Sequence, residues 1–133
     1  MKSQPSFDRY MIAIFIGAVS GACLTGLFVS GVGIATQDIT SIIDAAISWA
    51  FVSFVSFFVW FIGIIIVGGL PGLFIIKMKY RHWGFFVGIG ALFSALPLFL
   101  GNAPPSPTFH MIFASIGGFV GWVIWRILYV RDV

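Results

Sequence analysis

Long apolar stretches without a single charge constrain this chain more than any other feature. Residues 10–34 contain no Asp, Glu, Lys or Arg, and a helix that crosses a bilayer needs about 20 such residues. The chain is 60% hydrophobic and 8% charged, whereas soluble domains carry about 25% charged residues. With 133 residues it is too short to bury so much apolar surface inside itself. The sequence therefore predicts an integral membrane protein.

Four apolar segments follow one another, which predicts an all-α protein with four transmembrane helices in a single domain, residues 1–133. The predicted spans are residues 10–34, 45–67, 83–100 and 109–129. Asp38 or Thr40 is placed to cap the second span at its N-terminus. The second helix should break near Gly68–Pro71, because proline lacks an amide proton and clashes with the preceding turn.

The positively charged residues all fall on one side of this arrangement. They are Lys2, Arg9, Lys77, Lys79, Arg81, Arg126 and Arg131. The opposite side carries Asp38 and Asp44 and no Lys or Arg. The positive-inside rule then predicts that both termini are cytoplasmic, and we expect the inner (plasma) membrane of a bacterium. The first apolar run continues well past Cys23, so we expect an uncleaved span and not a secretion signal.

Small residues recur at helical spacing in three of the four spans. They are Gly17, Gly21, Ala22 and Gly26 in the first span, Gly84 and Gly88 in the third, and Gly117, Gly118 and Gly121 in the fourth. Gly117 and Gly121 have the GxxxG spacing that lets two membrane helices approach closely. Such faces either pack within one bundle or bind another chain. The first span has the largest surplus of small surface.

The second span has a different stripe, formed by Trp49, Ser53, Ser56 and Trp60. Serine hydroxyls in helices often bond back to carbonyls of their own helix, which would make the stripe a packing face. The other interpretation is a polar groove that lines a pore or a substrate path.

No span carries an ionisable residue near its middle, which argues against ion-coupled transport. Asp38, Asp44 and His110 lie on the same side, and whether they converge on a metal is open. We expect no catalytic residue, no cofactor, no metal site and no nucleic-acid partner. The cations Lys77, Lys79, Arg81, Arg126 and Arg131 set the topology, contact anionic lipid headgroups, or do both.

The leading functional hypothesis is a non-enzymatic accessory or structural subunit of a larger membrane complex. Its partners would be the lipid bilayer and either other membrane subunits or further copies of itself. The alternative is a small homo-oligomeric channel or transporter. A third class is a membrane inhibitor or immunity protein.

Overall fold

The computed structural model describes residues 6–36, 38–66, 82–99 and 106–129. These residues form four α-helices: α1 (Phe7–Ala35), α2 (Ile42–Ile64), α3 (Trp83–Phe99) and α4 (Pro107–Tyr129). Three of them, α1, α2 and α4, are long and apolar enough to cross a membrane. The fourth, α3, is a shorter apolar helix of 17 residues. The all-helical architecture with several apolar helices is confirmed.

Local side-chain contacts set where the first two helices begin. The Ser6 hydroxyl accepts a hydrogen bond from the Arg9 amide at 3.3 Å, and Asp8 lies in the first turn of α1. Ser41 does the same for the Ile43 amide at 3.2 Å. The expectation that Asp38 or Thr40 caps the second helix is therefore wrong, because Ser41 is nearer and has the extended backbone of an N-cap.

The second helix starts earlier than predicted, at Ile42, and its regular part ends at Ile64. A wider helical turn follows at residues 65–66. The predicted break at Gly68–Pro71 lies outside the described residues, as do Lys77, Lys79, Arg81 and Arg131.

Helices α1 and α4 run antiparallel. Arg9 at the start of α1 contacts Ile127 at the end of α4, while Phe28 near the other end of α1 contacts Phe109 near the start of α4. Glycine contacts pair the first half of α1 with the end of α2, and the start of α3 with the second half of α4, so helices that follow one another in the chain point in opposite directions.

The helices form an open row in the order α2–α1–α4–α3. Extensive contacts join α1 to α2, α1 to α4 and α3 to α4, and any other pair of helices has at most a marginal contact within the described residues. The buried residues accordingly belong to the two central helices, α1 and α4. No residue of α2 is buried, and none is buried over residues 83–95 of α3. Within the part of the chain that the structure describes, each of the two outer helices packs extensively on one neighbour.

Candidate functional site

The α1–α2 interface is built by large side chains of α2 that fill spaces above glycines of α1. The Trp60 ring lies over Gly21, where an added Cβ would come within 2.6 Å of ring atom Cδ2. The Trp60 indole N–H donates a hydrogen bond to Thr25 Oγ1 at 3.0 Å, and the Thr25 hydroxyl donates to the Gly21 carbonyl at 2.8 Å. The absence of a side chain at Gly21 is thus what admits the indole ring.

One to two turns further along α1, Gly26 lies against Ser53 and against the backbone and ring of Trp49. The Trp49 indole N–H donates to the Cys23 carbonyl at 3.4 Å. The hydroxyl of Ser53 is buried and has no hydrogen-bond partner, so it does not bond back to its own helix. Ser56 is half-buried. Trp49, Ser53 and Trp60 therefore belong to the contact with α1.

The α3–α4 interface brings backbone against backbone. Gly90 of α3 and Gly117 of α4 face each other so closely that a Cβ on either would overlap the carbonyl oxygen of the other. A Cβ at Gly121 would overlap the Phe86 carbonyl in the same way. Contacts of this kind allow Cα–H to carbonyl interactions, which recur where membrane helices cross closely.

A serine adds a hydrogen bond to this interface. Ser94 lies against Gly117, and its hydroxyl donates to the Phe113 carbonyl across the helix pair at 2.6 Å. At the end of the pair that holds Arg126, the rings of Phe86 and Tyr129 meet edge to face with centroids 5.9 Å apart. Gly118 makes ordinary contact with Val87, at 3.4 Å from an added Cβ.

The central α1–α4 contact uses a third kind of packing. A Cβ at Gly17 would lie 2.8 Å from the Ile124 side chain of α4, and also 3.5 Å from Ile64 of α2. The Arg9 side chain donates from Nε to the Ile127 carbonyl in the last turn of α4, at 2.9 Å. A cation at this position also interacts favourably with the negative end of the helix dipole.

Only some of the predicted small residues contact another helix. Gly17, Gly21 and Gly26 contact neighbouring helices, and Ala22 is buried with 3% of its surface exposed. An added Cβ at Gly88 would meet nothing within 4 Å, and one at Gly84 would meet only the imidazole of His82.

Two residues of the α3–α4 contact, Gly90 and Ser94, were absent from the sequence prediction. Their spacing of four residues on a small-xxx-small face was the signal that could have found them. A second series of small residues, through Gly84 and Gly88, lies in the same helix. The sequence alone does not show which of the two series contacts α4.

The two ends of the helices carry different charged residues. Asp8, Arg9 and Arg126 lie at one end, and Asp38, Asp44 and His110 lie at the other. Among the described residues, no three His, Cys, Asp or Glu side chains come close enough together to hold a metal ion. Asp38, Asp44 and His110 therefore do not converge. Arg126 is exposed, with its guanidinium 5.1 Å from the centre of the Trp122 ring.

Comparisons with known proteins add no relative. No protein-family model matches the chain, and neither the curated proteins nor the solved structures include a significant match.

Proposed function

We propose that this chain is a four-span membrane protein with both termini in the cytoplasm, and that it serves as a non-enzymatic structural subunit of a larger membrane assembly. The observation that carries the proposal is the open row of helices. A closed bundle would cover each helix on two sides, whereas α2 and α3 each pack extensively on one neighbour. Within the described residues, α2 and α3 each keep an outer side that no second helix covers extensively, and other transmembrane helices would pack there.

Length and charge support the four-span topology. An α-helix of 17 residues is about 26 Å long, close to a hydrocarbon core of about 30 Å, so α3 can cross with little local thinning. The antiparallel order places Arg9 and Arg126 at the same end, as the positive-inside rule requires for a chain with cytoplasmic termini.

The way the polar residues are used also favours a structural role over a conducting one. A pore would need the Trp49–Trp60 stripe to face a water-filled path. Trp49, Ser53 and Trp60 are instead engaged with α1. The channel or transporter alternative therefore has less support than it had from the sequence, and the immunity-protein class has no observation in its favour.

Affinity capture from native membranes in a gentle detergent, followed by mass spectrometry, tests the proposal. We expect other membrane subunits to be recovered in stoichiometric amounts with the wild-type chain. A particle that contains only this chain, at any multiple of 14.5 kDa, would refute the accessory role.

Variants at the outer faces make the capture experiment specific. Gly88→Leu changes an exposed position of α3 with open space around it, and Phe54→Ala removes a side chain of α2 that is 65% exposed. At least one of them should release a partner while the chain itself stays folded. The control is Leu27→Ala, because Leu27 is 58% exposed but lies on a central helix.

Reporter fusions test the topology separately. A fluorescent protein that folds only in the cytoplasm should be bright at the C-terminus and dark when inserted between Asp38 and Ser41. The reverse pattern would overturn the assigned orientation without bearing on the subunit role.

A further inference from the structure

One exposed side of α4 carries three side chains that change from apolar to cationic along the helix. Phe119 is 47% exposed, Trp122 is half-buried, and Arg126 is exposed in the last turn. Their spacing of three and four residues puts them on one face. The Phe119 and Trp122 rings are 5.9 Å apart, and the Arg126 guanidinium lies 5.1 Å from the Trp122 ring. The three side chains therefore form one continuous surface, which we call the Phe119–Arg126 strip.

The order of these side chains matches the order of groups in a phospholipid. Seven residues of α-helix separate Phe119 from Arg126 by about 10 Å along the axis. Over this distance a bilayer changes from acyl chains to phosphates. Tryptophan prefers the boundary between the two regions, and Trp122 stands at the middle of the strip. An acyl chain lying along Phe119 and Trp122 would bring its headgroup to the guanidinium.

The positive charge at the Arg126 end of the strip favours an anionic headgroup. No acidic side chain among the described residues forms an ion pair with Arg126, whose described interaction is with the Trp122 ring. By the predicted topology, the same membrane side carries all seven Lys and Arg residues against two acidic residues, Asp8 and Asp132. A guanidinium is weakly hydrated and can bind two phosphate oxygens at once.

We propose that the Phe119–Arg126 strip is a binding site for one anionic phospholipid, with its phosphate on Arg126 and an acyl chain along Phe119. The site requires a membrane-spanning α4 but not the subunit role, so it can stand if that role is refuted. The proposed site does not include Lys77, Lys79 or Arg81, which lie outside the described residues.

Native mass spectrometry of the purified full-length chain tests the site. The protein is incubated with equal amounts of phosphatidylglycerol and phosphatidylcholine of the same acyl composition, and the two first-bound adducts are compared. We expect the wild-type chain to prefer phosphatidylglycerol. Arg126→Gln should lower that preference about fivefold, the effect of removing one cationic residue from an anionic surface.

Three further variants separate the contributions. Lys2→Gln removes the same charge from the same predicted membrane side and should leave the preference within about twofold, since Lys2 is not one of the residues that form the strip. Arg126→Lys should retain most of the preference. Phe119→Ala should reduce the binding of both lipids and leave their ratio unchanged, because it removes acyl-chain contact only.

Several results would overturn the proposal. One is an unchanged preference in Arg126→Gln with native helix content by circular dichroism. Another is an equal loss in Lys2→Gln, which would indicate diffuse attraction and no defined site. A third is recovery of a partner protein that depends on Arg126 while lipid preference does not, because the strip would then be a protein interface.

Discussion

The two outer helix contacts of this chain use glycine for opposite purposes. In the α1–α2 contact, Gly21 and Gly26 leave spaces that the side chains of Trp60 and Ser53 occupy. In the α3–α4 contact, Gly90 and Gly117 let the two backbones touch directly. A side chain can rotate away from an added methyl group, whereas a backbone cannot move without moving its helix. The same residue type should therefore tolerate substitution differently in the two places.

The largest expected effect comes from adding a side chain where backbones meet. Gly117→Leu would force α3 away from α4, because the nearest groups are the Gly90 carbonyl and Ser94. We expect it to lower the free energy of unfolding by about 3 kcal/mol, the upper end of the usual range for overpacking. Steric trapping in bicelles measures this quantity. Gly88→Leu is the control and should change it by no more than about 0.5 kcal/mol, since its site is open. Equal effects of the two substitutions would contradict the backbone contact.

A smaller loss is expected where the obstacle is a side chain. Gly21→Ala should cost about 1–3 kcal/mol, because the Trp60 ring must shift to admit the methyl group. Combining Gly21→Ala with Trp60→Leu should recover part of this cost. Gly117→Ala has no such rescue available from a single side chain. The comparison fails if Gly21→Ala proves as damaging as Gly117→Ala.

The hydrogen bond between Trp60 and Thr25 should contribute less than the packing around it. In a double-mutant cycle with Trp60→Phe and Thr25→Val, we expect a coupling of about 0.6 kcal/mol, typical of polar contacts between membrane helices. The Thr25 hydroxyl also bonds to the Gly21 carbonyl of its own helix. The single and the double variant that carry Thr25→Val both lose this bond, so its contribution cancels in the cycle. A coupling of zero would mean that the indole is held by shape alone.

The smallest effects distinguish the two interface serines. Ser94→Ala loses the bond to the Phe113 carbonyl and should cost about 0.5–1.5 kcal/mol. Ser53→Ala removes a buried hydroxyl that has no partner, so it should be neutral or slightly stabilising. Thermal unfolding of the two variants in the same detergent shows which substitution lowers the stability more. A larger loss for Ser53→Ala would show that its hydroxyl is used in the membrane.

The helices themselves were predictable from the sequence to within a few residues. The first span, predicted at 10–34, is part of Phe7–Ala35, and the fourth, predicted at 109–129, is part of Pro107–Tyr129. The errors lie at the helix ends, where a single side-chain hydroxyl sets the residue at which the helix begins. Ser41 begins α2 three residues before the predicted start, since whichever side chain reaches the free amides becomes the cap.

The contacts between helices were much less accessible to sequence reasoning. Gly88 and Gly90 both belong to small-residue series in α3, yet only Gly90 meets α4 in the structure. Small residues at helical spacing show that another helix can approach closely, but they do not show which helix does so. Trp60 and Gly21 illustrate the same point, since their match pairs a large side chain on one helix with a glycine on another.

The sequence by itself determined that the chain forms several apolar helices, and roughly where each of them begins and ends. These properties depend on the hydrophobicity and the length of segments along the chain, and not on contacts between particular helices. Only the tertiary structure decided the order α2–α1–α4–α3, the glycine pairs and the surfaces left open at the edges. Lipid is as apolar as the helices, so their pairing is selected by shape and by a few hydrogen bonds between residues far apart in the chain.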